Sequence, residues 1–352
     1  MTPGREEWTP PLGVQNPAYS LLQPFLEDRG AQNGAPGPSR ECENGRSGLR
    51  YSVGVSGTFE PLRADEPIGV VALSSGVDAT RLAEGLAELS GWGHRLILAP
   101  NLGAKTGYLA GSDEERLDGL SQVLDQGARI VVAARGGYGT TRLLPRLPWR
   151  RMASQGVVLV GFSDVVAVTN HLACAHGVPQ IHGPMVAAGL APRHNAERLR
   201  RVLGGSLVGE AVFCFDQRQV VRHGLAEGPA VGGNLSLLCA LLGTPFEPRF
   251  DGAVVFLEEV GEPLYRLDRM LTQLASSGRL QHVKALIGGS LRSCSPITER
   301  TRTWRQLLVG VAPSGSPVVV GLPFGHGAAN MAFPIGIRLG VDTRSGTVAW
   351  SD

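Results

Sequence analysis

The stretch ARIVVAARGGYGTTRLL (128–144) decides the fold. After Ala128 and Arg129, residues 130–134 form an unbroken apolar run containing three β-branched side chains, the pattern of a strand buried on both faces. Arg135-Gly136-Gly137-Tyr138-Gly139 is a tight loop, and a helix opens near Thr140. The same alternation surrounds it. PIGVVAL (67–73) reads as a strand before the amphipathic helix DATRLAEGLAEL (78–89), which Gly91 and Gly93 stop. RLILAP (95–100) is a strand before helix 113–126, which starts with a Ser112/Glu115 capping box and ends at Gly127. GVVLVG (156–161) precedes a helix from Asp164 to about His176, stopped by Gly177. Apolar strands alternating with helices predict an α/β fold with a parallel sheet covered on both sides.

Downstream, residues 190–229 are less regular and read as an inter-domain connection. A second set of elements follows: a helix at 234–242, the strand AVVFLE (253–258), and a helix across 264–276 with apolar positions 264, 267, 270, 271 and 274 on one stripe. KALIGGS (284–290), a helix around 303–310, PVVVGL (317–322) and a β-rich end complete it. The expectation is a nucleophile-bearing α/β domain over 67–189 and a second, smaller α/β domain over 230–352. Residues 1–66, with 17 Gly or Pro and no sustained period, read as a flexible extension in which only AYSLLQPFL (18–26) could dock.

Composition excludes several classes. Of 352 residues, 43% are hydrophobic and 18% charged, enough for a sizeable core. The net charge is +2, with basic residues scattered and only Lys105 and Lys284 as lysines, so neither nucleic acid nor a membrane surface is an expected partner. No apolar run reaches the roughly 18 residues of a membrane span, and the first residues lack the apolar core of a secretory signal. Five widely spaced cysteines without C-x-x-C suit a reduced, cytoplasmic chain. No metal-ligand or cofactor motif is present, so no cofactor is expected; the RGGYG loop is neither G-x-G-x-x-G nor a P-loop.

Ligands of open parallel sheets bind beyond the carboxyl ends of strands, and three such ends carry unusual sequence. RGGYG offers backbone N–H groups as an anion or oxyanion cradle, or is a plain turn. In Gly161-Phe162-Ser163-Asp164 the serine sits on a sharp strand-to-helix turn, and the N–H of Asp164 lies at the helix start. This is nucleophile-elbow geometry with Val165 in place of the second glycine, although serine and aspartate are also ordinary caps. A nucleophilic serine needs a base. His326, in PFGHG (323–327), is favoured over His182, which precedes Gly-Pro. Phe256-Leu257-Glu258-Glu259 offers a carboxylate, either glutamate serving equally well, unless both face water or pair with Arg266 and Arg269. Cys174 and Cys239 fall inside predicted helices and make poor nucleophiles.

At these residues the chain resembles the muramoyl-tetrapeptide LD-carboxypeptidase family of serine peptidases, which includes the microcin C self-immunity proteins. The resemblance runs from about Pro67 to the C-terminus through GYLAGSDEERL (107–117), RGGYGTTRLL (135–144), GFSD (161–164), HGP (182–184), GGNLSLL (232–238), LEEVGEPLYRLDRML (257–271) and GLPFGHG (321–327). It implies a flavodoxin-like N-terminal domain, a C-terminal domain carrying Glu and His, and commonly a homodimer. Carried over by motif, it implies Ser163, Glu258 and His326 as the triad, with the N–H groups of Gly137 and Asp164 as oxyanion donors. Arg135, Asn234 and Arg266 are the candidate contacts to a murein peptide substrate. The alternatives are a self-immunity-type hydrolase of aminoacyl-nucleotides and a non-catalytic anion-binding protein. The former relies on an aromatic stack that would fall to Phe213, Phe215, Phe246 or Phe250, because residues 150–303 contain no tryptophan.

Overall fold

A computed structural model describes residues 59–206, 209–294 and 303–351. The apolar patch at 18–26 and most of the expected extension lie outside the described residues. The first sheet is built from β1 (Ile68–Val71), β2 (Leu96–Leu98), β3 (Ile130–Ala133), β4 (Val158–Gly161) and β5 (Gln180–His182). These five are parallel in the order β2-β1-β3-β4-β5, the flavodoxin-like arrangement. Burial of every residue in β1, β3 and β4 explains their unbroken apolar runs. Helix α1 (Ala79–Ser90) is capped by Asp78, and α2 (Asp113–Asp125) starts with the Ser112/Glu115 capping box. Short helices α3 (Thr140–Leu143) and α4 (Trp149–Ser154) lead to β4. After it comes α5 (Val166–His176), which ends on left-handed Gly177.

The second sheet has eight strands. Its central four are parallel: β8 (Leu225–Asn234), β9 (Val254–Val260), β10 (Ala285–Arg292) and β11 (Val318–Val320). Helices α7 (Leu235–Ala240), α8 (Leu264–Ser276) and α9 (Trp304–Val311) connect them, and α8 buries Leu267, Leu271 and Leu274. β7 (Val220–Arg222) pairs antiparallel with β11. On the other side lie β13 (Arg338–Asp342), β14 (Thr347–Trp350) and β6 (Ala211–Cys214).

Three features differ from expectation. The stretch 190–229 holds regular elements: the helix α6 (Arg193–Leu203), and β6, β7 and the start of β8, three strands of the second sheet. β6 and β7 are only four and three residues long, too short for either to show a period. Next, β12 (Phe333–Ile335) leaves the second unit and pairs antiparallel with β5, so the C-terminal half completes the first sheet. Finally, packed structure precedes Pro67. Phe59 is buried edge-on to Trp350, and Leu62 N–H donates to Leu203 O at 2.7 Å.

Arg129 fastens this segment to the body. It donates to Glu60 O and Pro61 O at 3.0 and 2.9 Å and grips both oxygens of Glu66 at 3.0 and 2.8 Å. The Arg129 hydrogen bonds bring the Glu66 carboxyl down to about 2. A depressed folded-state value means the ionised pair stabilises the fold above the ordinary carboxylate range. That contribution is lost as pH falls from about 4.5 towards 2. Glu66→Gln should therefore cost about 1–3 kcal/mol at pH 7 in urea denaturation, and the gap to wild type should narrow below pH 4.5. A gap constant with pH would show that the ion pair is not its source.

Candidate active site

β4 delivers the chain into a strained turn. Phe162 is extended, whereas Ser163 has φ +60, one of two non-glycine residues in the left-handed region among those described. Such strain in a strand-to-helix turn lifts the hydroxyl above the sheet edge. Val165 is accommodated because Gly161 faces it: a Cβ there would lie 2.7 Å from Val165 Cγ1. The close approach needed by the elbow is thus supplied by the first glycine of the G-x-S-x-G pattern, with Val165 packed against it in place of the second.

The RGGYG loop runs directly over the elbow. A Cβ on Gly136 would come within 2.9 Å of Ser163 Cβ, so only glycine fits. The loop is pinned on both sides. Tyr138 N–H donates to Ser75 Oγ at 3.1 Å, Thr140 N–H donates to Asp164 Oδ2 at 2.8 Å, and Thr140 Oγ1 donates to Asp164 O at 2.6 Å. Burial pushes the Asp164 carboxyl up, opposed by the Thr140 N–H, and the side chain is occupied as a loop anchor. Its backbone N–H lies beside Gly136 and Ser163. Beneath the loop is fully buried Arg116, which donates to Leu73 O at 2.6 Å and Gly139 O at 2.9 Å and pairs with Asp113. Sequence reasoning missed Arg116. The available signal was a charge on the apolar stripe of α2, in line with Leu120, Val123 and Leu124.

The other half of the site comes from the second sheet. Glu258, on β9, is fully buried, and its Oε2 accepts the His326 backbone N–H at 3.1 Å and lies 2.7 Å from His326 Nδ1. His326 Nε2 is 3.1 Å from Ser163 Oγ. Gly325 must be glycine, since a Cβ would collide with the Glu258 carboxylate. The histidine loop is held by Asn330 Oδ1, which accepts Gly325 N–H at 3.0 Å, and by Ser290 Oγ, which accepts Gly327 N–H at 2.9 Å. Asn195 Oδ1 in turn accepts Asn330 N–H at 2.9 Å. None of these three supports was legible beforehand. Phe162 packs its ring edge-on to His326, with centroids 4.9 Å apart.

Strand alternation separates the two glutamates. Glu259 points to the opposite face, where it accepts hydrogen bonds from Asn234 Nδ2 (2.7 Å), Ser236 N–H (2.7 Å) and Val260 N–H (2.9 Å). Burial pushes its carboxyl up against those donors. Asn234 is therefore not presented to a substrate: its amide holds Glu259, and its carbonyl caps α7 through Leu237 N–H and Ser236 Oγ. Arg266 is paired with Glu262 at 3.2 Å. Exposed Arg135 donates to Gly76 O at 2.8 Å. His182 lies fully buried among Phe162, Phe324 and Phe333, and burial brings it down to about 3. That setting gives it no path to Ser163. Cys174 and Cys239 are free thiols, raised by burial, to about 12 for Cys239. Among the described residues no group of three or more acidic, His or Cys side chains is placed to hold a metal.

This fold and site define a peptidase class. Residues 68–183 match the LD-carboxypeptidase N-terminal domain and residues 227–341 the LD-carboxypeptidase C-terminal domain; the chain belongs to the LD-carboxypeptidase family. It is 34% identical over 296 residues to the murein tetrapeptide carboxypeptidase of Pseudomonas aeruginosa, covering 79% of this chain and 93% of that protein. It is 30% identical over 293 residues to a probable murein peptide carboxypeptidase of Bacillus subtilis, covering 81% and 92%. Among solved structures it resembles a muramoyltetrapeptide carboxypeptidase from Oxalobacter formigenes (TM-score 0.69, 28% identity, 81% of this chain and 99% of that one). It also shares the fold of the microcin C7 self immunity protein MccF, solved in complex with aspartyl sulfamoyl adenosine (TM-score 0.76, 19% identity, 83% and 97%).

Because glutamine keeps one acceptor oxygen for the three donors that Glu259 serves, Glu259→Gln should lower stability by about 1–3 kcal/mol. Urea denaturation followed by circular dichroism checks this, and an unchanged midpoint would remove Glu259 from the scaffold.

Proposed function

We propose that this protein is a serine carboxypeptidase that releases the terminal D-alanine of LD-linked murein tetrapeptides. The observation that carries the reading is the unbroken line from Glu258 through His326 to Ser163, at 2.7 and 3.1 Å. His326 Nε2 takes the Ser163 proton as Oγ attacks the peptide carbonyl, while Glu258 holds Nδ1–H and stabilises the imidazolium. The tetrahedral oxyanion rests on the N–H groups of Gly137 and Asp164. His326 then gives its proton to the leaving amine, and a water activated by the same ring hydrolyses the acyl-enzyme. An exopeptidase must also hold a free carboxylate. With Arg266 paired to Glu262, Arg135 is the arginine we assign near the oxyanion loop. No described helix is long and apolar enough to cross a membrane.

The nucleotide reading finds less support. Phe213, Phe215 and Phe250 are buried, and Phe246 packs against Trp149, so none is free to stack a base. We therefore expect kcat/KM for an LD-linked tetrapeptide ending in D-alanine to exceed that for an aminoacyl-sulfamoyl adenosine by at least about tenfold, the worth of one missing stack. A DD-linked pentapeptide should be left intact. Comparable rates on peptide and nucleotide would favour the self-immunity reading.

For the triad, Ser163→Ala and His326→Ala should each lower turnover by at least about four orders of magnitude, and the double variant little further, since the residues act as a unit. Losses that multiply, measured by mass spectrometry of released D-alanine, would contradict the assignment. The triad reading also requires Glu258→Gln to be nearly inactive.

A further inference from the structure

Among the described residues only Tyr108, Tyr138, Leu225 and Tyr265 are large hydrophobic or aromatic side chains left strongly exposed. Two of them, Tyr108 and Tyr138, touch each other with ring centroids 5.7 Å apart and planes tilted by 57°. They come from separate loops, and each is fixed through its backbone to the segment Ser75-Gly76. Gly76 N–H donates to Tyr108 O at 3.2 Å, and Tyr138 N–H donates to Ser75 Oγ. Tyr138 follows Gly137 directly, so the aromatic pair starts one residue from the oxyanion loop's apex.

Two basic side chains touch the same Ser75-Gly76 segment. The Arg135 guanidinium bonds the neutral carbonyl of Gly76 and is not tied to a carboxylate there. The aliphatic stem of Lys105, one of only two lysines in the chain, lies over Gly76 on the same segment. Two loops thus hold a pair of tyrosines 64% and 46% exposed, with two basic residues on the segment that anchors them and the elbow next door. Leaving such rings exposed gains nothing for the fold, and aromatic faces bordered by cations bind extended anionic chains through apolar contact and charge. The two rings contact one another and so present one continuous aromatic surface.

We infer that Tyr108, Tyr138 and Lys105, with Arg135, form a specificity subsite that takes a carboxylate-bearing segment of the peptide substrate. This rests on the peptidase reading above. The carboxylate is either the peptide's own C-terminus or a side-chain or α-carboxylate further along the chain, and one experiment separates them.

Steady-state kinetics should be measured for wild type, Tyr108→Ala and Lys105→Gln on three peptides. These are the LD-linked tetrapeptide, its C-terminal amide, and the tetrapeptide with its internal carboxylates amidated. On the parent peptide each variant should raise KM at least about fivefold with kcat within about twofold, the split expected when binding and not chemistry is lost. The charge pairing appears as coupling. Whichever amidation raises KM for wild type but not for Lys105→Gln identifies the carboxylate held. Unchanged KM in both variants, or a fall in kcat with KM intact, would overturn the subsite. If wild type fails to cleave the parent tetrapeptide, the peptidase reading itself falls and takes this inference with it.

Discussion

One oxygen carries this site. Oε2 of Glu258, fully buried, accepts both the backbone N–H and the ring Nδ1–H of His326, fixing where the histidine is and which way it faces. A buried carboxylate is expensive unless paired, so the geometry is strongly favoured once the second sheet has formed. The partner of that pair, Ser163, belongs to the other sheet. Everything else in the molecule must therefore keep two separately built strand ends in register to within a hydrogen bond.

Aromatic packing supplies that register. Phe256 lies two residues before Glu258, Phe324 two before His326, and Phe333 is on the strand that crosses into the first sheet. Their rings meet at 4.5 Å (Phe256–Phe333), 5.3 Å (Phe324–Phe333) and 5.6 Å (Phe256–Phe324). Buried aromatic contacts of this kind each add about 0.5–1.5 kcal/mol beyond area burial. More important, they place the residues flanking both members of the charge pair in one rigid cluster. β12 carries that cluster to the edge of the first sheet beside β5 and β4, whose end is the elbow. On the opposite side, Arg116 and Thr140 hold the glycine loop down on the same elbow.

Much of this was legible because it is local. The parallel strands announce themselves as apolar runs, the caps as Ser112/Glu115 and Gly177, and the elbow as a serine between a buried strand and a helix. What was not legible depends on long-range placement. Residues alone left Glu258 and Glu259 equivalent, since alternation says only that they face opposite ways, not which way is the site. Asn234 looked like a ligand contact because a cap and a binding amide are the same residue type. β12, three residues containing a proline, has no period to detect, and the docking of Phe59 to Glu66 hangs on a guanidinium from β-strand-flanking Arg129, far away in sequence. Arg116, Asn195 and Asn330 are polar groups inside the body, where pattern reading expects none.

The central claim is that Ser163, activated by His326, is the atom that becomes covalently bound. The most direct test is to treat the protein with a fluorophosphonate, which modifies activated serine hydroxyls, and map the adduct by peptide mass spectrometry. The account predicts one adduct, on Ser163, absent in His326→Ala while that variant remains folded. A protein that turns over the tetrapeptide yet carries its adduct on another residue, or reacts equally well without His326, would contradict it.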